Sequence, residues 1–93
     1  DFSGANMSYI NLTSADLTGA NMSNADLRVA ILTNAKLEKA NLSKANLAGA
    51  ALFDANLTGA NLDGANLTGA FLAGAIWVDG KKCNEGSKGE CKK

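Results

Sequence analysis

The side chains best suited to chemistry here are two cysteines, Cys83 and Cys91, and a scatter of carboxylates that includes Asp16, Asp26, Asp54 and Asp63. Thiols can pair as a disulfide, bind soft metals or act as nucleophiles, and paired carboxylates can serve as general acid and base. Each use needs partners that this chain does not supply. It has no histidine, so no Cys–His or Ser–His nucleophile can be assembled. Two cysteines alone fall short of the four ligands of a structural zinc site, and no CxxC redox motif is present. The acids fall in different parts of the sequence rather than as a pair, and the glycines come singly rather than in a phosphate-cradling loop. No catalytic residue, cofactor or metal ligand is assigned, and the chain is read as a non-enzyme. A disulfide between Cys83 and Cys91 remains, closed over a short Gly- and Ser-containing loop, with free thiols as the alternative. The disulfide implies an oxidising compartment (periplasm, thylakoid lumen or extracellular space), and free thiols imply the cytosol.

The element that must carry these residues is a repeat. Ala55 to Ala70 reads ANLTGANLDGANLTGA, one five-residue phrase three times over. Its large apolar centre recurs from Phe2 and Met7 through Leu72 to Trp77, and alanine stands two residues before nearly every centre. On an α-helix a five-residue step rotates the centre by roughly 140°, which sprays leucines around the axis. On a flat strand an odd period alternates them between faces. All centres point inward only if the backbone turns a corner once per phrase, so that four corners close a coil of twenty residues. About 80 residues then form about four stacked coils of an all-β solenoid. Glycine or asparagine two residues after the centre (Gly4, Gly19, Asn24, Asn34, Gly49) suits the positive φ of a type II turn. Val29 fills the same slot, and its β-branched side chain predicts that this corner is not type II.

The pattern A(N/D)LxG resembles the pentapeptide-repeat family over about 80 of the 93 residues. The resemblance implies a right-handed quadrilateral β-helix over residues 1–80, followed by a tail over 81–93. The ending WxDGxxCxxGSxGxC also resembles C-terminal segments of several such proteins. Some members bind DNA gyrase through long, strongly acidic, dimeric solenoids, so a DNA mimic acting on a type II topoisomerase is the alternative to a structural or protein-interaction module. This chain is a thin match to that alternative: four coils span only about 19 Å, and residues 1–80 carry seven acids against four bases.

The overall formal charge is zero, which argues against direct nucleic-acid binding. Nothing reads as a signal peptide or a membrane span. The chain opens at Asp1 inside a phrase, leaving room for a leader, a cap or another domain ahead of it, and the N-terminal end is expected to be open to self-association. Six Asn-x-Ser/Thr sequons arise from the repeat itself, and their crowding favours a bacterial or organellar source. Asn21, Asn41 and Asn61 should stack as an amide ladder, Lys36 should lie over Asp16, and Tyr9 should cover a corner. Arg28, Lys36, Lys39 and Lys44 sit among Asp26 and Glu38 as a solvated charged face. Two departures from the phrase stand out. Ile31, Ala51 and Phe71 replace Asn or Asp in one outward column, with Phe53 and Val29 beside them. Val29, Ile31, Phe53 and Phe71 therefore form an apolar wall, to be covered by the tail or missing residues, or to serve as a partner or homodimer surface. Trp77 takes the last centre and is expected to cap the end.

Overall fold

The computed structural model describes residues 1–93. The five-residue phrase becomes a corner because each of its backbone N–H groups has a separate destination. The alanine N–H closes the corner onto the preceding centre, as Ala30 N–H does onto Leu27 C=O at 3.1 Å. Such bonds occur at all sixteen corners, from Ala5 to Gly80. The following N–H reaches back one coil (Asp26 to Ala5 C=O, 2.9 Å), and the centre reaches forward (Leu27 to Asn46 C=O, 2.8 Å). The corner residue also reaches forward, as Val29 does to Ala48 C=O at 2.9 Å. Only the N–H just after the centre is left over, and an Asn or Asp side chain takes it: Asn46 Oδ1 accepts from Ala48 N–H at 3.1 Å. Buried or not, backbone groups are seldom left without partners, and the phrase assigns all five.

Pairing between residues twenty apart is parallel throughout, from Asn6 with Asp26 to Asn56 with Ile76. The pairings are single bridges between corners, not extended strands, because a turn intervenes every five residues. Leucine and alanine fill the interior: Met22, Leu27, Leu32, Leu37, Leu42, Leu47 and Leu52 are fully buried, and the intervening alanines are small enough to let opposite walls close on them.

At the corner position, positive φ is the rule. It holds for seven corner glycines and also for Tyr9, Ser14, Asn24, Val29, Asn34, Lys39, Lys44 and Asp54. The expectation for Val29 is overturned: its φ is +58°, and with Arg28 outside the positive region the corner is type II. The Val29 N–H bond to Ala48 locks the corner to the next coil and the Ala30–Leu27 bond closes the turn, and together they override the preference of a β-branched residue, which costs about 1–2 kcal/mol. The last corner differs. Asp79 is not at positive φ and Gly80 is, at +81°, so the repeat register breaks there and the chain reverses.

Residues 81–93 then run back antiparallel over the last coil, with Ile76 opposite Lys82 and Phe71 opposite Lys88. Leu72 N–H bonds Ser87 C=O at 3.0 Å, Gly74 N–H bonds Cys83 C=O at 3.1 Å, and Trp77 N–H bonds Lys81 C=O at 2.8 Å. These donors would otherwise need a further coil. Ser87 is buried at 3% exposure, and its Oγ accepts Lys92 N–H at 2.8 Å. Trp77 lies half-buried against the core cluster. No helix is long and apolar enough to cross a membrane.

Candidate protein-interaction face

Eleven corners have an Asn or Asp before the centre, and in all eleven its Oδ1 accepts the N–H two residues on. At seven of the eight capped corners where Ser or Thr follows, its hydroxyl donates to the same oxygen, as Thr58 Oγ1 does to Asn56 Oδ1 at 2.6 Å. The side chains are therefore spent within their own corners. Asn21, Asn41 and Asn61 do stack by backbone pairing, but their Oδ1 atoms bond Ser23, Ser43 and Asp63 rather than one another. The expected amide ladder is replaced by these local turns, which form at lower entropic cost than bonds between coils.

Five corners lack this cap, at Ile31, Lys36, Ala51, Phe71 and Ile76. The N–H groups that follow, on Thr33, Glu38, Phe53, Ala73 and Val78, make no hydrogen bond within the chain. Three of the five share one face: Thr33, Phe53 and Ala73 are stacked by the pairing of Ile31 with Ala51 and of Ala51 with Phe71. This is the face of the apolar wall. Ile31 (39%), Phe53 (38%) and Phe71 (36%) keep over a third of their surface exposed, and Val29 borders them at 44%. The Phe53 and Phe71 rings stack with centroids 5.5 Å apart and planes 25° from parallel.

The tail does not cover this wall. It runs over the coil end and contributes Lys88, whose Nζ stands 5.0 Å from the Phe71 ring centroid, within cation–π range. Where tail and wall meet, a hollow of about 560 Å³ opens, lined by Phe53, Asp54, Ala73, Lys82 and Glu85 among others. A Cβ on Gly74 would fall on Asp54 Oδ1, so that corner admits only glycine while Asp54 keeps its pose. Cys83 and Cys91 lie within disulfide-bonding distance, with Cα atoms 5.1 Å apart. Cys83 is 2% exposed and packs on the core, which ties the tail to the last coil.

The charged groups are mostly local. Arg28 forks onto Asp26, Nε to Oδ1 at 2.9 Å and Nη2 to Oδ2 at 2.7 Å. That contact, then the Arg28 N–H bond, lowers the Asp26 carboxyl pKa. Asp16 pairs with Lys36 in the backbone register, yet its carboxylate is held mainly by the Thr18 hydroxyl and N–H, which lower its pKa, with Lys36 a minor contributor. Tyr9 occupies a corner but is 75% exposed, so it covers nothing. The sequence reading missed the capping role of Asn and Asp. The signal was there, in the Asn-x-Ser/Thr spacing that also makes sequons.

Comparison with known proteins agrees with this geometry. The pentapeptide repeats family matches in eight copies, over residues 1–34 and 30–69. No curated protein matches the chain. Among solved structures, a pentapeptide repeat protein (Rfr23) from the cyanobacterium Cyanothece 51142 is 42% identical with a TM-score of 0.81, over 97% of this chain and 62% of that one. HetL, a pentapeptide repeat protein involved in heterocyst differentiation regulation in the cyanobacterium Nostoc sp. strain PCC 7120, is 41% identical with a TM-score of 0.52, over 86% of this chain and 39% of that one. A pentapeptide repeat protein of the Arabidopsis thaliana thylakoid lumen shares the fold at 22% identity and a TM-score of 0.59, over 97% of this chain and 86% of that one. The chain thus spans less than two thirds of the first two. With the family matched over most of its length and the turn bond repeated at every fifth residue, the chain belongs to the pentapeptide repeat family.

Proposed function

We propose that this chain is a non-catalytic interaction module. Residues 1–80 form a right-handed quadrilateral β-helix of about four coils, and residues 81–93 form a tail tied down by a Cys83–Cys91 disulfide, with Trp77 as the end cap. The docking surface is the wall of Val29, Ile31, Phe53 and Phe71, and its occupant is a protein. The observation that carries this reading is that three stacked corners of one face give up their caps for apolar side chains, two of them, Ile31 and Phe71, exposed. Each lost cap forgoes about 0.5–1.5 kcal/mol, and Val29 adds strain at the border. The Phe53–Phe71 stack and the Lys88 contact return part of this within the fold, and an exposed apolar patch on a small protein commonly serves contact with another.

The test is Phe53→Ser with Phe71→Ser in one variant. Its thermal midpoint should change little, because both side chains are outward, while capture of a native partner, or assembly in size-exclusion chromatography with light scattering, should be lost. A variant that keeps every partner and the same oligomeric mass would refute the wall as the docking face. The Cys83–Cys91 pair supports an oxidising compartment for the module; alkylation and mass analysis of protein taken from its source without reductant should find no free thiol. The alternative, a DNA mimic acting on a type II topoisomerase, has a weak electrostatic basis in seven acids against four bases over residues 1–80. A gyrase supercoiling assay should show no inhibition.

A further inference from the structure

We propose that the wall recognises an extended protein segment in which an aspartate or asparagine stands between apolar residues, its side-chain oxygen accepting the free Phe53 N–H beside Ala51. This deepens the reading of the wall as a docking face and rests on it.

The argument starts from what a covering partner would do to the bare donors. Thr33, Phe53 and Ala73 N–H point out of corners whose caps are missing, and in the free protein water serves them. A purely apolar partner would strip that water and leave the donors buried without acceptors, which costs roughly 1–3 kcal/mol each. A partner that binds the wall must therefore bring oxygen atoms as well as apolar groups. The corners specify what kind. At the eleven capped corners the acceptor is an Asn or Asp Oδ1, so the vacant acceptor position is one that a carboxamide or carboxylate oxygen fits. Ala51 lies between Ile31 and Phe71 in the paired column, and its single methyl is the smallest side chain there. The Phe53–Phe71 stack beside it offers apolar area to the residues on either side of the inserted one.

A second copy of this chain offers few such oxygens. Its eleven Asn and Asp side chains before the centres already accept from their own corners, seven of them from both an N–H and a hydroxyl.

The experiment is a displayed library of twelve-residue peptides panned in parallel on the wild type, on Ala51→Asn, and on Phe53→Ser/Phe71→Ser. Ala51→Asn rebuilds the missing cap, so it should raise the thermal midpoint while satisfying the Phe53 N–H from within the chain. The expected result is enrichment on the wild type of Asp or Asn flanked by apolar residues, with binding reduced at least tenfold by either variant. In ¹⁵N-labelled protein, the Phe53 amide proton should move downfield with an enriched peptide and stay in place with its Asx→Ala form. Synthetic Asp and Asn forms of that peptide then tell a carboxylate from a carboxamide. Peptides that lose binding on Phe53→Ser/Phe71→Ser but not on Ala51→Asn overturn this inference and leave the docking face standing. Binding indifferent to both variants, or no enrichment on the wild type, overturns both.

Discussion

Val29 is the residue at which local preference and the stack disagree most. At φ +58° it holds a conformation that glycine or asparagine adopts at far lower cost, because its N–H is bonded to Ala48 of the next coil and the Ala30–Leu27 bond closes the turn around it. Val29→Asn should therefore stabilise the fold by about 1 kcal/mol, visible as a rise of roughly 4–8 °C in the thermal midpoint; no gain would mean that the corner carries no strain. The carboxylates act at the same scale. Asp16, held first by Thr18, and Asp26, held first by Arg28, have lowered pKa values when folded. Their stabilisation is thus fully present above the unfolded value, about 3.9, and is lost as pH falls through the folded values beneath it. With no histidine in the chain, melting should be nearly flat between about pH 5 and 8 and should decline below about pH 4. Asp16→Asn with Asp26→Asn keeps the corner oxygens and should blunt that decline.

Each corner is closed by its own turn bond and, in eleven cases, by its own side-chain cap. Asn46→Ala removes a cap whose only donor is the Ala48 N–H and should cost about 1 kcal/mol in chemical denaturation. Ala51→Asn should gain a similar amount, so the pair measures one interaction in both directions. The tail is an element of another kind, since it pairs antiparallel and serves donors that only a further coil would reach. Cys83→Ser with Cys91→Ser should lower stability by about 2 kcal/mol. Amide exchange should speed up at Leu72, Gly74 and Trp77, which bond the tail, and stay slow at Leu37 and Leu42.

For the molecule as a whole, the consequence is an asymmetry between faces. Most of the outer surface consists of short polar groups engaged in their own corners, which leaves few free acceptors to recruit partners. One face carries the exposed rings, the bare donors and the cation of Lys88 together. Transplanting Asn into positions 31, 51 and 71 at once should yield a more stable, uniformly polar solenoid that no longer binds through this face, readable by thermal melting and by the same peptide panning.

The period of five, the inward leucines and alanines, and the twenty-residue pairing were all legible in the sequence, because a repeat that cannot sit on a helix or a flat strand leaves little choice of backbone path. The wall was legible too, since apolar residues in an otherwise polar column need no coordinates to be noticed. The conformation of Val29 was not, because it is decided by bonds to Ala48 and between Ala30 and Leu27 rather than by the residue's own preference. The use of Asn and Asp as caps instead of ladders, and the bare donors left where they are missing, also required the tertiary structure. Which N–H lacks a partner depends on where all the others have gone, and that is settled only when the coils are stacked.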